Sequence, residues 1–70
     1  PGTGTPEPGG LTSRELLDTV RRLARDLEVV GADIVEVSPP YDGPGQITAA
    51  LGNRVALEIL NGMAERKLGV

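Results

Sequence analysis

The chain has 70 residues, with 7 basic against 10 acidic side chains and a formal charge of -3, so it holds one small domain at most. It contains neither Cys nor His, which excludes disulfides, thiolate and imidazole metal ligands, and every Ser-His or Cys-His nucleophile. A single aromatic residue, Tyr41, and the acidic excess argue against nucleic-acid binding. No apolar run approaches the length that spans a bilayer, and no signal-peptide pattern opens the chain. The expectation is a soluble, cytoplasmic protein with no membrane partner.

Residues 1–10 hold four Gly and three Pro, which forbids regular helix or a central strand there. With nothing apolar to anchor it, this stretch reads as a tail rather than an ordered loop. From Leu11 the pattern changes. Thr12 and Glu15 stand at capping-box spacing, and Leu11 and Leu16 occupy the two positions of a hydrophobic staple. Leu16, Val20, Leu23 and Leu27 follow the 3.6-residue period, widened by Leu17 and Ala24. Asp18 and Arg22, four apart with the acid first, support the outer face. These signals predict a helix from about Ser13 to Asp26.

Val29 to Val37 is β-branched and mostly apolar, and it ends at Pro39-Pro40, which supply no backbone donors. Apolar residues on both faces predict a strand covered on both sides, as in a parallel sheet. Tyr41 to Gly45 has the chemistry of a loop. A second helix is predicted from about Ile47 to Arg66, with Ile47, Leu51, Val55, Ile59 and Met63 as its apolar stripe. Gly52 adjoins that stripe, where it permits close packing against a neighbour. Arg66 and Lys67 suit the negative end of the helix dipole. One strand cannot make a sheet, and its backbone groups need partners on both sides. The helix-strand-helix order therefore predicts the last unit of a larger α/β domain.

The Gly-rich opening does not make a phosphate loop. Gly2 and Gly4 match the first two glycines of a dinucleotide fingerprint, but Glu7 stands where the third belongs, and no Gly-Lys-Ser/Thr follows. Glu36 is the stronger candidate. It is either a solvent-facing or salt-bridged strand residue, or a functional carboxylate. Open α/β sheets bind ligands beyond the carboxyl ends of their strands, where Glu36 falls. A carboxylate there needs a cation to offset desolvation, and a guanidinium meets it bidentately. Asp33 suits amides at the start of the strand, and Asp42-Gly43 reads as an ordinary turn pair. Arg14, Arg21, Arg22 and Arg25, interleaved with acids, read as a solvated or intersubunit face.

Two separate motifs carry a resemblance. Pro1-Gly2-Thr3-Gly4-Thr5-Pro6, followed by Gly9-Gly10-Leu11-Thr12 and Arg14-Glu15, resembles the segment after the metal-binding Asp-x-Asp motif of the ureohydrolases, the arginase and agmatinase family. Gly31 to Asp42 resembles their last strand and the loop after it, and Ile47-Thr48-Ala49 the start of their C-terminal helix. Pro6 to Gly10 and Pro39-Pro40-Tyr41-Asp42 look more like agmatinase-type members than arginase.

The resemblance implies a three-layer α/β/α fold around a mostly parallel sheet. In that frame residues 1–10 are an active-site loop and 11–70 a helix-strand-helix unit at the C-terminal end of a single domain. It implies two manganese ions that activate a hydroxide, as metal hydrolases do, to release urea from a guanidine substrate. Agmatine, yielding putrescine for the polyamines, is the substrate it favours. It places Glu36 as the carboxylate that orients the guanidinium and Thr5 as a second substrate contact. Arg14 and Glu15 fall near subunit contacts of a homo-oligomer, trimer or hexamer. The family's metal ligands would all precede Pro1, so no metal ligand and no catalytic residue is assigned in this segment, which is expected to be inactive alone. The competing expectation is a non-catalytic interaction module that docks on a separate metal-bearing subunit; a third is a fragment without function.

Overall fold

In a computed structural model, residues 1–69 are described; Val70, the last residue of the 11–70 unit, lies outside the described residues. Helix α1 spans Ser13–Asp26. It starts where it does because the Thr12 hydroxyl accepts the Glu15 N–H at 3.1 Å while the Glu15 carboxylate accepts the Thr12 N–H at 2.9 Å, satisfying two donors that have no partner inside the helix. Leu11 is 66% exposed, so the expected staple leaves its outer member in solvent. The expected pair of Asp18 with Arg22 is replaced by Arg14 to Asp18 at 3.3 Å, the neighbouring choice at the same i,i+4 spacing.

Helix α2 spans Ile47–Leu68, two residues beyond the predicted end. Gly69 stops it: its φ of +75° is a left-handed conformation that glycine adopts without penalty, and its N–H returns to the Arg66 carbonyl. The two helices cross at Gly62. A Cβ there would stand 2.5 Å from the Arg21 carbonyl oxygen and 2.7 Å from the Ala24 Cβ, so only glycine permits this approach. Leu17 and Ala24 are the buried apolar residues of this contact. Full burial of one such leucine contributes about 1.5–3 kcal/mol.

Electrostatics closes the same crossing. Glu58 of α2 is 3% exposed and is met by Arg54 at 3.3 Å and by Arg21 of α1 at 3.8 Å. The Arg21 Nε also donates to Glu65 at 2.9 Å. Arg21 is therefore an interhelical tie rather than part of the solvated arginine face that the charge pattern predicts.

Between the helices, Val29 to Val37 is not a strand among the described residues. The chain runs there without a ladder, because a strand needs neighbours to take its N–H and C=O groups, and none of the described residues forms one. The segment instead lies over α2: Val37 and Ile34 methyls would be 3.3 and 3.5 Å from a Cβ on Gly52. Gly52 thus admits the neighbour its position predicted. Leu51, Val55, Ile59 and Met63 are half-buried, whereas Ile47 stays exposed. Val30, Val35 and Leu60 are 90%, 69% and 63% exposed, leaving these apolar side chains uncovered. A short 3-10 helix, Pro39–Tyr41, turns the chain toward α2.

Candidate functional site

The first residues are an ordered loop rather than a tail. Gly2 is buried, its N–H donates to the Thr48 Oγ1 at 3.0 Å, and its carbonyl accepts the Ser38 N–H at 2.6 Å. A Cβ on Gly2 would meet the Asp42 Cγ and the Thr48 Cβ, each at 2.7 Å. Anchoring is by backbone hydrogen bonds and close approach, which a composition lacking apolar residues does not signal.

This anchor brings together the two segments that carry the predicted site residues. Thr5 closes a bend over residues 3–5, shortly after Gly2, and Glu36 shortly precedes Ser38. Both side chains are exposed, and among the described residues no hydrogen bond joins them. Glu36 has φ of +69°. A non-glycine residue in that region costs roughly 1–3 kcal/mol and persists where its surroundings over-determine it, as at functional sites. Asp33 is exposed and takes no part in the anchor's hydrogen bonds. Arg14 pairs with Asp18, and Glu15 is engaged in the capping box.

Asp42 has a larger role than a turn residue. Its Oδ1 accepts the N–H groups of Gly43 at 3.0 Å and Thr48 at 3.2 Å, and its Oδ2 accepts that of Ala49 at 3.0 Å. Thr48 and Ala49 belong to the first turn of α2, whose N–H groups have no partner inside the helix. Gln46, at the N-cap, has φ of +51° and makes no side-chain cap. Desolvation pushes the Asp42 carboxyl upward. The Ala49 and Thr48 amides, the Thr48 hydroxyl and the Gly43 amide together outweigh it, so the pKa falls below its ordinary 3.8. One signal does point to Asp42 in the sequence: a helix starting at Gln46-Ile47 has none of the usual capping residues, so another acceptor must reach its amides.

No group of three or more Asp or Glu able to hold a metal ion occurs among the described residues. The two manganese ions implied by the resemblance therefore find no ligand set here. No helix among them is long and apolar enough to cross a membrane. What the site offers is a carboxylate on a strained backbone, an exposed threonine, and a tight anchor holding their two segments together.

The Arginase family model matches residues 1–62. The chain is 54% identical to a guanidinopropionase of Pseudomonas aeruginosa over 65 residues, covering 93% of this chain and 20% of that protein. It is 47% identical to an agmatinase of Chromobacterium violaceum over 68 residues, covering 97% and 20%. A proclavaminate amidinohydrolase of Streptomyces clavuligerus is 53% identical over 60 residues, covering 86% and 18%. No solved structure matches significantly. The chain belongs to the Arginase family, and with it to the α/β class that its element order predicts. It spans about a fifth of the length of these relatives.

Proposed function

We propose that this segment supplies the guanidinium-facing carboxylate of an amidinohydrolase. The reaction adds water across the bond between the guanidino carbon and the alkyl nitrogen, releasing an amine and urea. Glu36 accepts N–H groups from the planar guanidinium, a charge-assisted and bidentate contact that fixes the orientation of the cation. Thr5 presents a hydroxyl to the same substrate from the facing loop. The observation that carries this reading is the left-handed backbone of Glu36, beside the Gly2–Ser38 hydrogen bond that brings the two segments together.

Within this proposal residues 1–10 are an active-site loop, and Val29 to Val37 pairs into a mostly parallel sheet of a three-layer α/β/α domain. Two manganese ions are held by ligands outside these 70 residues. The enzyme is a homo-oligomer, trimer or hexamer, acting in the cytoplasm. Agmatine is the proposed substrate. Support comes from Pro39-Pro40-Tyr41-Asp42, which looks agmatinase-like, and from the agmatinases among the similar proteins.

The test is urea release by the full-length enzyme from agmatine, 3-guanidinopropionate and arginine in parallel. Agmatine should give the highest kcat/KM. A preference for 3-guanidinopropionate or arginine would overturn the substrate, and release of urea from none of the three would overturn the reaction.

A further inference from the structure

We propose that Asp42 is a positioning residue for the guanidinium site, holding the loop of Thr5 and the segment of Glu36 in register through the first turn of α2. This rests on the reading of Glu36 given above and deepens it.

The geometry is a chain of short contacts. The Asp42 carboxylate takes the Thr48 and Ala49 N–H groups, which places Thr48. The Thr48 hydroxyl oxygen takes the Gly2 N–H, and the Gly2 carbonyl takes the Ser38 N–H. Gly2 sits so tightly between Asp42 and Thr48 that a single added carbon would collide with both. The opening loop and the Glu36 segment are thus tied to each other and, at one point, to Asp42. Glu36 holds a left-handed backbone that something must over-determine. Ile34 over Gly52 holds the chain before it, and Val37 over the same glycine with the Ser38–Gly2–Thr48–Asp42 relay holds the chain after it.

A carboxylate suits this place for a second reason. Asp42 accepts all three of its amides and donates to none. An asparagine keeps the shape but turns one acceptor into a donor that faces an N–H. The relay then loses one end, and the error passes to Thr5 and Glu36. Misplacement of a positioning group by about 1 Å costs up to roughly a hundredfold in rate.

The test is a double-mutant cycle on the full-length enzyme with Asp42→Asn and Glu36→Gln, read by kcat/KM, by competitive inhibition with guanidinium ion, and by thermal melting. Asp42→Asn should lower kcat/KM and raise the guanidinium Ki by about tenfold or more per folded molecule, and should cost little further in the Glu36→Gln background, because coupled residues are non-additive. A lowered melting point with unchanged kcat/KM and Ki would make Asp42 a helix cap only and overturn the proposal. Independent, multiplying effects of the two substitutions would overturn it as well. Should Asp42→Asn not fold, Thr48→Val keeps the Thr48 and Ala49 amides on Asp42 and deletes the hydroxyl that accepts the Gly2 N–H and faces the Asp42 carboxylate, and the same outcomes apply. A Glu36→Gln enzyme with wild-type kcat/KM removes the guanidinium reading and the positioning role with it. A damaged Glu36→Gln beside an undamaged Asp42→Asn removes the positioning role alone.

Discussion

Ser38 donates its backbone N–H to the Gly2 carbonyl at 2.6 Å, joining two stretches of chain that lie 36 residues apart. That bond sets the facing edges of the candidate site, since Thr5 follows one partner and Glu36 precedes the other. Thr48, in the first turn of α2, holds this pair by accepting the Gly2 N–H.

The helix crossing gives the first prediction. Gly62→Ala in the full-length protein gains about 0.8–1.0 kcal/mol of helix propensity, yet its methyl falls 2.5 Å from a backbone oxygen that cannot move freely. Overpacking of this kind costs roughly 1–3 kcal/mol, so the net effect is destabilising. Urea denaturation checks it; a more stable Gly62→Ala protein would show that the helices do not approach as described.

Acid should loosen the start of α1. The Glu15 carboxylate is held below its ordinary 4.5 by the Thr12 backbone N–H and then by the Thr12 hydroxyl. A group whose pKa is lowered on folding contributes stability above its unfolded value, and loses it as pH falls through the folded value. The capping box should therefore be intact above pH 4.5 and open progressively below it. Amide exchange at Glu15 and Leu16 as a function of pH measures this. In Glu15→Gln the pH dependence should flatten.

Much of this was legible from residues close together in the chain. Thr12 and Glu15 mark the first turn of α1 because a capping box is a local device, and the apolar period carries the helix to Asp26. What the residues did not disclose depends on contacts between distant segments. Val29 to Val37 has the composition of a buried strand, but strand formation requires a neighbour, and here the segment rests on Gly52 instead. Asp42 looks like a turn residue because the amides it caps lie several positions on, beyond a Gly-Pro-Gly loop. Arg21 looks solvated until α2 brings Glu58 and Glu65 to it.

Manganese should bind the isolated 70-residue chain no more tightly than it binds any mildly acidic peptide. Hard cations need several convergent oxygens, and the described residues bring no such cluster together. Titration calorimetry decides the matter, with submicromolar affinity as the contradicting result.

The isolated chain should also self-associate. Val30, Val35 and Leu60 are largely exposed, as are Leu11, Leu57 and Leu68, and this much exposed apolar side chain on a chain of 70 residues favours association. Sedimentation across a concentration series should show mass rising with concentration. A monomer at every concentration, with strongly protected amides over Val29 to Val37, would mean that these residues need no partner.

The central claim is that Glu36 holds the guanidinium, and steady-state kinetics of Glu36→Gln in the full-length enzyme tests it most directly. The substitution keeps the shape, removes the charge and sets a donor against the donors of the substrate. The predicted result is a loss of roughly a hundredfold or more in kcat/KM, with metal content and melting temperature close to wild type. Near-normal kcat/KM in the variant, with any loss confined to stability, would contradict it.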